Sequence, residues 1–491
     1  MTTLSRRQLL TSAAATTVLG AFAAPLFANR QALAGEHAPT LLRAESRVLD
    51  INSKATKVFG LIQPNGNHGL QTEVGRRFRV RLENRIDDQT LIHWHGLTPP
   101  YQQDGVPGIS QPALRPGQGY DYDFPLQKAG TNWMHSHHGL QEQRLMAAPL
   151  IIRDRSEASE DVQEVVVMLH DFTFRDPAEI LAELAGAGQG PGAPHGAAHG
   201  APQPMPPMAH GATAMQGSGM APAVHRNDVQ YDAFLANDRT LADPEVVRVE
   251  RSGRVRLRII NAAATTNFLI DLNGQSGTLI AVDGMPIQPI IDRRFELAVA
   301  QRLDIVLSLP PSGAAFPIFA VREDDTARTG ILLAGPGARV VKVAAQAEAK
   351  APPVGLSLER RLSAKTPLPL RQADRRYTIE LTERPGYVWE INGAVFGAHK
   401  PLALRKGERV EIVIEDRTTM AHPMHLHGHH FQVVAIDGQR LMGAVRDTVL
   451  VPARGSVTIA FDADNPGRWA FHCHHLYHMA AGMMTTVEYE T

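Results

Sequence analysis

The chain has little cysteine, little charge imbalance and few stretches with the periodicity of a helix. Cys473 is the single cysteine among 491 residues, so an intramolecular disulfide is impossible. Its thiol would be open to oxidation unless a bound partner occupied it. Lysine and arginine number 49 against 50 acidic residues, which excludes the positive field that attracts nucleic acid. The 41 glycines and 34 prolines are typical of short strands joined by turns, and we predict an all-β protein.

The first residues combine Arg6 and Arg7 with an Ala/Thr-rich apolar run from Thr11 to about Ala28. This pattern resembles a twin-arginine export signal, which carries folded proteins across a bacterial membrane. We therefore predict a signal peptide over residues 1–34, recognised by the twin-arginine export machinery, and a periplasmic mature protein. A permanent membrane anchor is the alternative, because the run approaches the ~20 residues of a spanning helix. Its weak hydrophobicity favours cleavage, with no stable membrane insertion afterwards.

One strand pattern occurs three times at wide spacing. Residues 77–84 alternate apolar and polar side chains, and near copies occur at 254–261 and 409–416. Three such repeats predict three homologous β-sandwich domains, although any amphipathic strand shows the same period. The predicted segments are a first domain over 40–155, a second over 156–350, a linker over 351–375 and a third domain over 376–491.

The predicted second domain contains a Gly/Ala/Pro-rich insertion over residues 186–226 without a hydrophobic period. Such a segment buries too little apolar surface to fold alone, and we expect it to be disordered or loosely ordered. Its ligand-type side chains are His195, His199, His210, His225, Met205, Met208, Met215 and Met220. Because thioether sulfur suits Cu(I), we hypothesise that the insertion gathers copper, with a plain flexible linker as the alternative.

Four histidine clusters carry the functional signal. They are His93-Trp94-His95, His135-Ser136-His137, His422-Pro423-Met424-His425-Leu426-His427 and His472-Cys473-His474. A His-x-His pair on a strand places both rings on one face, where the pair can chelate one metal or bridge two. One pair alone is a weak signal. Four pairs, at the ends of the predicted first and third domains, indicate a metal centre.

The last cluster contains the single thiol. His478 and Met483 follow Cys473 closely in sequence, and His422 can supply a second imidazole. Thiolate, two imidazoles and a distant thioether form the trigonal site that suits electron-transfer copper, whereas zinc would not require this set. Histidines flank Cys473 on both sides, so electrons accepted at the sulfur have a short covalent path to any metals that those imidazoles hold.

With these motifs, the sequence resembles the multicopper oxidase family over essentially the whole mature chain. The resemblance implies cupredoxin-like Greek-key sandwiches, with a trinuclear copper cluster between the first and third. It implies one type 1 copper, one type 2 copper and a type 3 pair, four coppers in all. Type 1 copper would be held by His422, Cys473 and His478 with axial Met483, and type 2 copper by His93 and His425. The type 3 pair would be held by His95, His135, His137, His427, His472 and His474. The adjoining His138, His429, His430 and His475 lie off the motif and are expected not to be ligands.

The same resemblance implies that a reduced substrate loses single electrons at type 1 copper and that dioxygen takes up four at the cluster to form water. This reaction consumes protons, and Asp104 lies where similar enzymes keep an acid near type 2 copper. We expect Asp104 to relay protons through water, with an ordinary turn aspartate as the alternative. Related enzymes often keep a further acid directly after the last type 1 histidine. This chain has Met479 there, so another route must supply the protons for oxygen cleavage.

The electron donor is open between Cu(I), a phenol and Mn(II). Gln141-Glu142-Gln143 and the insertion resemble the bacterial copper-resistance branch, which favours Cu(I). Cuprous oxidases of the family tend to carry Asp-x-Met-x-His at the first type 1 histidine, but here Thr418 replaces the aspartate.

The alternative function is a periplasmic copper-binding or storage protein without turnover, which would not need Cys473 between two histidines. A metal-free binding protein of this fold would have lost ligands, and none is missing. A two-domain copper nitrite reductase would lack a complete type 3 set.

Overall fold

The computed structural model describes residues 38–186, 227–250, 253–309 and 314–490. Within these ranges about half of the residues lie in β-strands, and there are two short α-helices, α1 (Pro177–Leu184) and α2 (Leu476–Ala480). The all-β prediction is confirmed. The predicted signal peptide and residues 187–226 of the predicted insertion lie outside the described residues.

The first sandwich contains eight strands. They are β1 (Thr40–Ile51), β2 (Lys54–Ile62), β3 (Leu70–Glu73), β4 (Arg77–Asn84), β5 (Ile92–His93), β6 (Gly119–Pro125), β7 (Gly130–Ser136) and β8 (Ala147–Arg153). One sheet has the order β2-β1-β4-β6 and the other β3-β8-β7-β5. Apolar side chains from both sheets, such as Leu82 and Leu150, share one buried core.

The second sandwich follows the same plan, with eleven strands among its described residues. They are β9 (Gln163–Phe172), β10 (Ala233–Ala236), β11 (Val246–Arg248), β12 (Arg254–Asn261), β13 (Phe268–Asp271), β14 (Gly277–Val282), β15 (Met285–Asp292), β16 (Arg294–Leu297), β17 (Arg302–Ser308), β18 (Phe316–Arg322) and β19 (Arg328–Ala334). The sheet orders are β10-β9-β12-β17-β14-β15 and β11-β19-β18-β13-β16. Leu257 and Ile318, from opposite sheets, lie in the core between them.

The third sandwich contains the remaining strands. They are β20 (Arg375–Arg384), β21 (Val388–Ile391), β22 (Leu402–Leu404), β23 (Arg409–Asp416), β24 (His422–Leu426), β25 (Phe431–Ile436), β26 (Gln439–Arg440), β27 (Val445–Arg446), β28 (Thr448–Val451), β29 (Ser456–Asp462), β30 (Arg468–Cys473) and β31 (Met484–Tyr489). One sheet has the order β21-β20-β23-β29-β25-β26, with β27 paired to β25, and the other β22-β31-β30-β24-β28. Cys473 and Met483 belong to the core between these sheets.

The three repeated sequence patterns are β4, β12 and β23, and they occupy equivalent positions. Each pairs in parallel with the first strand of its sandwich, which is β1, β9 or β20. Each also pairs antiparallel with a later strand, which is β6, β17 or β29. The predicted three-sandwich architecture is therefore confirmed, because equal pairing at equal positions is what repetition of one Greek-key unit produces.

The segment before the third sandwich is packed onto its neighbours. Leu358 and Leu362 lie in the core of the second sandwich, and Val354 and Leu356 in that of the third. This packing ties the two sandwiches together. In the described ranges, no helix has the length and apolar character needed to cross a membrane.

Candidate metal centre

The histidine pairs meet because paired strands bring their ends together. His93 lies opposite His135 in the register of β5 and β7, and His425 lies opposite His472 in that of β24 and β30. The second histidine of each pair lies just past the end of its strand. There the alternation of a strand no longer constrains its ring. The two rings of a pair can therefore diverge to different neighbours.

Eight imidazoles, which we call the histidine cluster, lie between the first and third sandwiches and are at most 8% exposed. They are His93, His95, His135, His137, His425, His427, His472 and His474. Their ring nitrogens gather within 4.8 Å in sets: His93, His95 and His425; His95, His135 and His474; and His137, His427 and His472. In three of the four sequence pairs, the two histidines fall in different sets. The pairs bridge neighbouring sets, one of the two arrangements that the spacing allows.

The hydrogen bonds of the rings fix which nitrogens face the centre. A carbonyl oxygen can only accept, so the nitrogen bonded to it must carry the hydrogen. The Nδ1 atoms of His93, His425 and His472 donate to the carbonyl oxygens of Asp104, Asp447 and Cys473, at 2.8, 2.9 and 2.9 Å. In a neutral ring bonded in this way, the Nε2 atom carries the lone pair.

His95 has the opposite orientation. Its Nε2 donates to Asp447 Oδ1 at 3.0 Å, while its Nδ1 is buried without a hydrogen-bond partner among the described residues. A buried nitrogen without a partner is costly, so this atom is suited to bind a metal.

Lone pairs face one another across the cluster. The Nε2 atoms of His427 and His472 are 3.0 Å apart, those of His135 and His474 3.3 Å, and those of His93 and His425 3.5 Å. Burial lowers the pKa of His427, His474 and His425 well below the ordinary value, and that of His472 to about 3. Neutral rings with facing lone pairs repel each other, and a cation that both can bind relieves the repulsion. The cluster therefore fits metal ions.

A second site, which we call the thiolate set, contains the single cysteine. Cys473 Sγ lies 3.6 Å from His422 Nδ1 and 3.9 Å from His478 Nδ1, and the two nitrogens are 3.2 Å apart. All three side chains are fully buried. Met483 is also buried, and its backbone bonds to both Cys473 and His478. This donor combination is the one that electron-transfer copper uses.

Partners outside the thiolate set hold its imidazoles in place. The Thr418 hydroxyl donates to the Met420 carbonyl oxygen, so it accepts from His422 Nε2, at 2.8 Å. Asp228 Oδ2 accepts from His478 Nε2 at 3.1 Å. Both Nδ1 atoms are thereby left with lone pairs that point toward the sulfur. Because burial raises the pKa of the Cys473 thiol, a bound cation is needed to keep it as a thiolate.

Cys473 links the two sites. Its sulfur belongs to the thiolate set, while the adjacent His472 and His474 belong to two different sets of the histidine cluster. The backbone of three consecutive residues therefore connects both sites, as the sequence motif predicts.

Asp104 touches the histidine cluster directly. Its side chain is fully buried, and its Oδ2 accepts from His427 Nδ1 at 2.8 Å. Its Oδ1 lies 3.3 Å from His93 Nδ1. Asp104 is also the last residue of a one-turn segment that leads into Gly105. The expectation of a turn aspartate and that of an acid beside the cluster therefore describe the same residue.

Several residues that contact the candidate ligands were not predicted from the sequence. Glu142 Oε2 lies 3.0 Å from His135 Nδ1, and its Oε1 lies 3.8 Å from His474 Nδ1. Burial raises the pKa of Glu142 well above its ordinary value. Asp447 and Asp228 bond other candidate ligands. Only Glu142 stood in a motif that the sequence pattern singled out, and its contact with two ligands could not be read there.

The adjoining histidines make other contacts. His429 Nε2 bonds the Tyr489 hydroxyl at 2.7 Å, and His430 lies 3.4 Å from Lys128. His475 stacks on His478 with ring centroids 3.6 Å apart, and its backbone amide donates to Cys473 Sγ at 3.4 Å.

Comparisons with known proteins show which family this chain resembles. Family models described as multicopper oxidase match residues 64–157, 163–334 and 369–491. The multicopper oxidase MmcO of Mycobacterium tuberculosis is 30% identical over 433 residues, which cover 86% of this chain and 81% of that protein. Copper resistance protein A of Escherichia coli is 26% identical over 532 residues, covering 86% and 87%.

Solved structures show the same fold. The crystal structure of Fet3p, a multicopper oxidase that functions in iron import, superposes with a TM-score of 0.72 at 18% identity over 92% of this chain and 90% of that one. Fold and site together define a copper-binding oxidoreductase built from cupredoxin-like sandwiches. The chain belongs to the multicopper oxidase family. Enzymes of this family use dioxygen and reduced substrates such as Cu(I).

Proposed function

We propose that this protein oxidises a small reduced donor by single electrons at the thiolate set and reduces dioxygen to water at the histidine cluster. The observation that carries the proposal is the position of Cys473, whose sulfur faces one site while its two neighbours enter the other. A protein that only stored copper would need ligands but no such connection.

The ligand sets support a division of four coppers between the sites. His422, Cys473 and His478, with Met483 as axial ligand, would hold type 1 copper. His93 and His425 would hold type 2 copper. The type 3 pair would be held by His95, His135 and His474 and by His137, His427 and His472. When bound, these coppers supply the redox chemistry that collects four electrons one at a time and passes them to dioxygen, with four protons, to give two waters.

Asp104 is the residue that we propose to supply protons. It lies beside His93 and His427, is shielded from bulk solvent, and has an oxygen with no hydrogen-bond partner among the described residues. That oxygen, Oδ1, is free to hold a water or a proton next to the cluster.

Electrons would enter from the side of His478. Both type 1 histidines are fully buried, but their outer nitrogens lead to different places. His422 Nε2 meets Thr418, which is buried. His478 Nε2 meets the Asp228 carboxylate, whose side chain is 14% exposed. Asp228 therefore offers a donor both a negative charge and a hydrogen-bonded link to the copper ligand.

A carboxylate at this position favours a cationic donor. Cu(I) and Mn(II) are cations, whereas a phenol is neutral, so we propose Cu(I) as a physiological donor. The similarity to copper resistance protein A supports this choice. The His/Met-rich segment before Asp228 would gather the copper. Deleting residues 186–226 should then lower Cu(I) oxidation while leaving phenol oxidation unchanged, and equal Cu(I) oxidation would contradict that role.

The central test is the copper content together with oxygen uptake. Purified protein loaded with copper should bind four ions per chain, be blue, and consume one dioxygen for every four electrons that the donor supplies. A storage protein would bind copper without consuming oxygen. A panel of Cu(I), Mn(II) and a phenol under the same conditions identifies the donor.

The entry site is tested by Asp228→Asn. This change removes the negative charge but keeps the size of the side chain. We expect the KM for Mn(II) and Cu(I) to rise roughly tenfold, which corresponds to about 1.4 kcal/mol of lost attraction. The KM for a neutral phenol should change little. Asp232→Asn is the matched control, because Asp232 is bonded to Thr173 and Phe174 instead. Equal KM values for cations in both variants would contradict entry at Asp228.

We also propose export through the twin-arginine machinery and a periplasmic location. Arg6→Lys combined with Arg7→Lys should retain the full-length protein in the cytoplasm, and the exported wild-type chain should begin at Gly35. Normal export of the double variant would contradict this signal.

A further inference from the structure

Arg302 lies where the three sandwiches meet. It belongs to β17 of the second sandwich, whose described residues contribute no ring to the histidine cluster, and its side chain is fully buried. Its Nε donates to the Thr131 carbonyl oxygen of the first sandwich at 3.1 Å. Its two terminal nitrogens donate to both carboxylate oxygens of Asp447 in the third sandwich, at 2.7 and 2.5 Å. One guanidinium therefore bonds the two sandwiches that hold the histidine cluster.

Asp447 in turn touches two candidate ligands. Its Oδ1 accepts from His95 Nε2 at 3.0 Å, and its carbonyl oxygen accepts from His425 Nδ1 at 2.9 Å. The first of these bonds occupies His95 Nε2 and leaves Nδ1, which has no hydrogen-bond partner among the described residues, as the nitrogen available to a metal. The position of Asp447 therefore determines which nitrogen of His95 is left to bind a metal.

The first sandwich is shaped to admit the guanidinium. Gly96, directly after His95, has a φ of +93°, and a Cβ there would lie 2.7 Å from Arg302 Nη2 and 2.3 Å from Asn132 Oδ1. A side chain at this position would displace the guanidinium of Arg302 or the side chain of Asn132. Glycine is required because the guanidinium and the ligand-bearing loop share this space.

We propose that Arg302 is a positioning residue of the histidine cluster. It fixes the position of the Asp447 carboxylate by an ion pair with two hydrogen bonds, and Asp447 in turn orients the rings of His95 and His425. The inference rests on the proposed function, in that these rings hold metal. It assigns a role in the oxygen-reducing site to the second sandwich, whose described residues supply no ring of the histidine cluster. A planar guanidinium suits this role because its two parallel hydrogen bonds fix the rotation of the carboxylate, whereas an ammonium fixes only its distance.

The contacts of Asp447 show which candidate ligands would be disturbed if its ion pair with Arg302 were weakened. Asp447 touches one ligand proposed for type 2 copper and one proposed for type 3 copper, and it touches no member of the thiolate set. Damage should therefore appear at the cluster and spare the type 1 site.

The experiment compares Arg302→Lys with Arg258→Lys in the copper-loaded full-length protein. Arg258 is the matched control, because it is fully buried in β12 of the same sandwich and bonds Glu164 and Asp304. It also bonds Glu157 and the Thr131 hydroxyl, and among the described residues it bonds neither Asp447 nor a candidate ligand. Both variants lose a buried guanidinium, so the loss of folding stability should be similar. The readouts are copper per chain, the blue absorption, the electron paramagnetic resonance spectrum and oxygen uptake.

We expect Arg302→Lys to keep the blue absorption of the wild type while its type 2 resonance shifts or disappears. Oxygen uptake should fall about 10- to 100-fold, the usual effect of losing an outer partner of a metal ligand. Arg258→Lys should keep the wild-type spectrum. An unchanged spectrum and rate in Arg302→Lys, or the same spectral change in both variants, would overturn the inference.

A second variant covers the case in which Arg302→Lys does not fold. Asp447→Asn keeps the shape of the side chain but cannot form the ion pair, and it should give the same selective loss at the cluster. Normal type 2 and type 3 signals in this variant would also overturn the inference. If the wild-type protein itself showed no coupled copper pair, the proposed function would fail instead, which separates the two outcomes.

Discussion

Two substitutions of Asp104 separate holding a ligand from moving a proton. The carboxylate is fully buried, and Oδ2 accepts from His427 Nδ1 at 2.8 Å. Asp104→Ala removes this acceptor. Asp104→Asn keeps an oxygen of the same size at the same place, but its amide cannot give up or take a proton at neutral pH. The backbone bond from His93 to the carbonyl oxygen of residue 104 is available in both variants.

The hydrogen bond determines the expected magnitudes. A buried bond to a charged acceptor contributes about 1.5–3 kcal/mol, and each ~1.4 kcal/mol is a factor of ten in an equilibrium constant. Asp104→Ala should therefore weaken the copper held by His427 roughly 10- to 100-fold. Asp104→Asn should keep that copper. Its turnover should fall by about 10²- to 10⁴-fold, which is the range for a lost general acid or base.

The assay measures copper per chain after dialysis, followed by oxygen uptake at saturating donor. The expected pattern is copper loss in Asp104→Ala and slow turnover with full copper in Asp104→Asn. If Asp104→Asn turned over at the wild-type rate with full copper, Asp104 would not relay protons. If both variants kept full copper and full activity, neither role would stand.

Four further outcomes follow from individual residues. Cys473→Ser should abolish the blue colour and turnover while the far-ultraviolet circular dichroism stays unchanged, and a blue variant would refute the type 1 assignment. Met483→Leu should remain blue with a higher reduction potential in a redox titration, and an unchanged potential would count against an axial Met483. Gly105→Ala should destabilise the fold by at least about 2 kcal/mol in urea titrations and release copper. The reason is that Gly105 has a φ of +86° and that a Cβ there would lie 1.8 Å from the Ile92 carbonyl oxygen. A variant with wild-type stability would show that the loop adapts. Burial lowers the pKa of His170 to about 4. The unfolded chain therefore takes up a proton at this residue as the pH falls below about 6.5, whereas the folded chain does not. This one residue should lower the free energy of unfolding by roughly 3 kcal/mol on acidification to pH 4. His170→Gln should reduce this pH dependence in urea titrations, and an equal slope would contradict the assignment.

Much of the fold could be predicted because its signals are local. The alternation of apolar and polar residues in β4, β12 and β23 follows from burying one face of a strand, and it survives in the sequence of each repeat. The link between the two sites is covalent, so the order His472-Cys473-His474 shows it directly. The sequence could not show that the two histidines of a pair contact different sets of the histidine cluster. The second histidine lies past the end of its strand, where strand alternation no longer predicts the direction of its ring.

The residues that hydrogen-bond the candidate ligands could not be predicted from the sequence, for a different reason. Glu142 lies in a single 3₁₀ turn and Asp228 in a loop, and neither segment is long enough for a periodic pattern to mark a side chain as buried. Their importance comes from the atoms that they meet, such as His135 Nδ1 and His478 Nε2. A hydrogen bond leaves no trace in sequence spacing when its partners are far apart along the chain.

The sequence by itself determined the chemistry available to this protein: one thiolate, its flanking imidazoles and the strands that carry them. Only the tertiary structure decided which nitrogens meet, because His93 and His425, 332 positions apart, face each other across two sandwiches. It also decided that Arg302, from the second sandwich, lies where the first and third sandwiches meet. The physical reason is that a metal site is defined by distances between atoms, and folding sets those distances between residues that the chain itself keeps far apart.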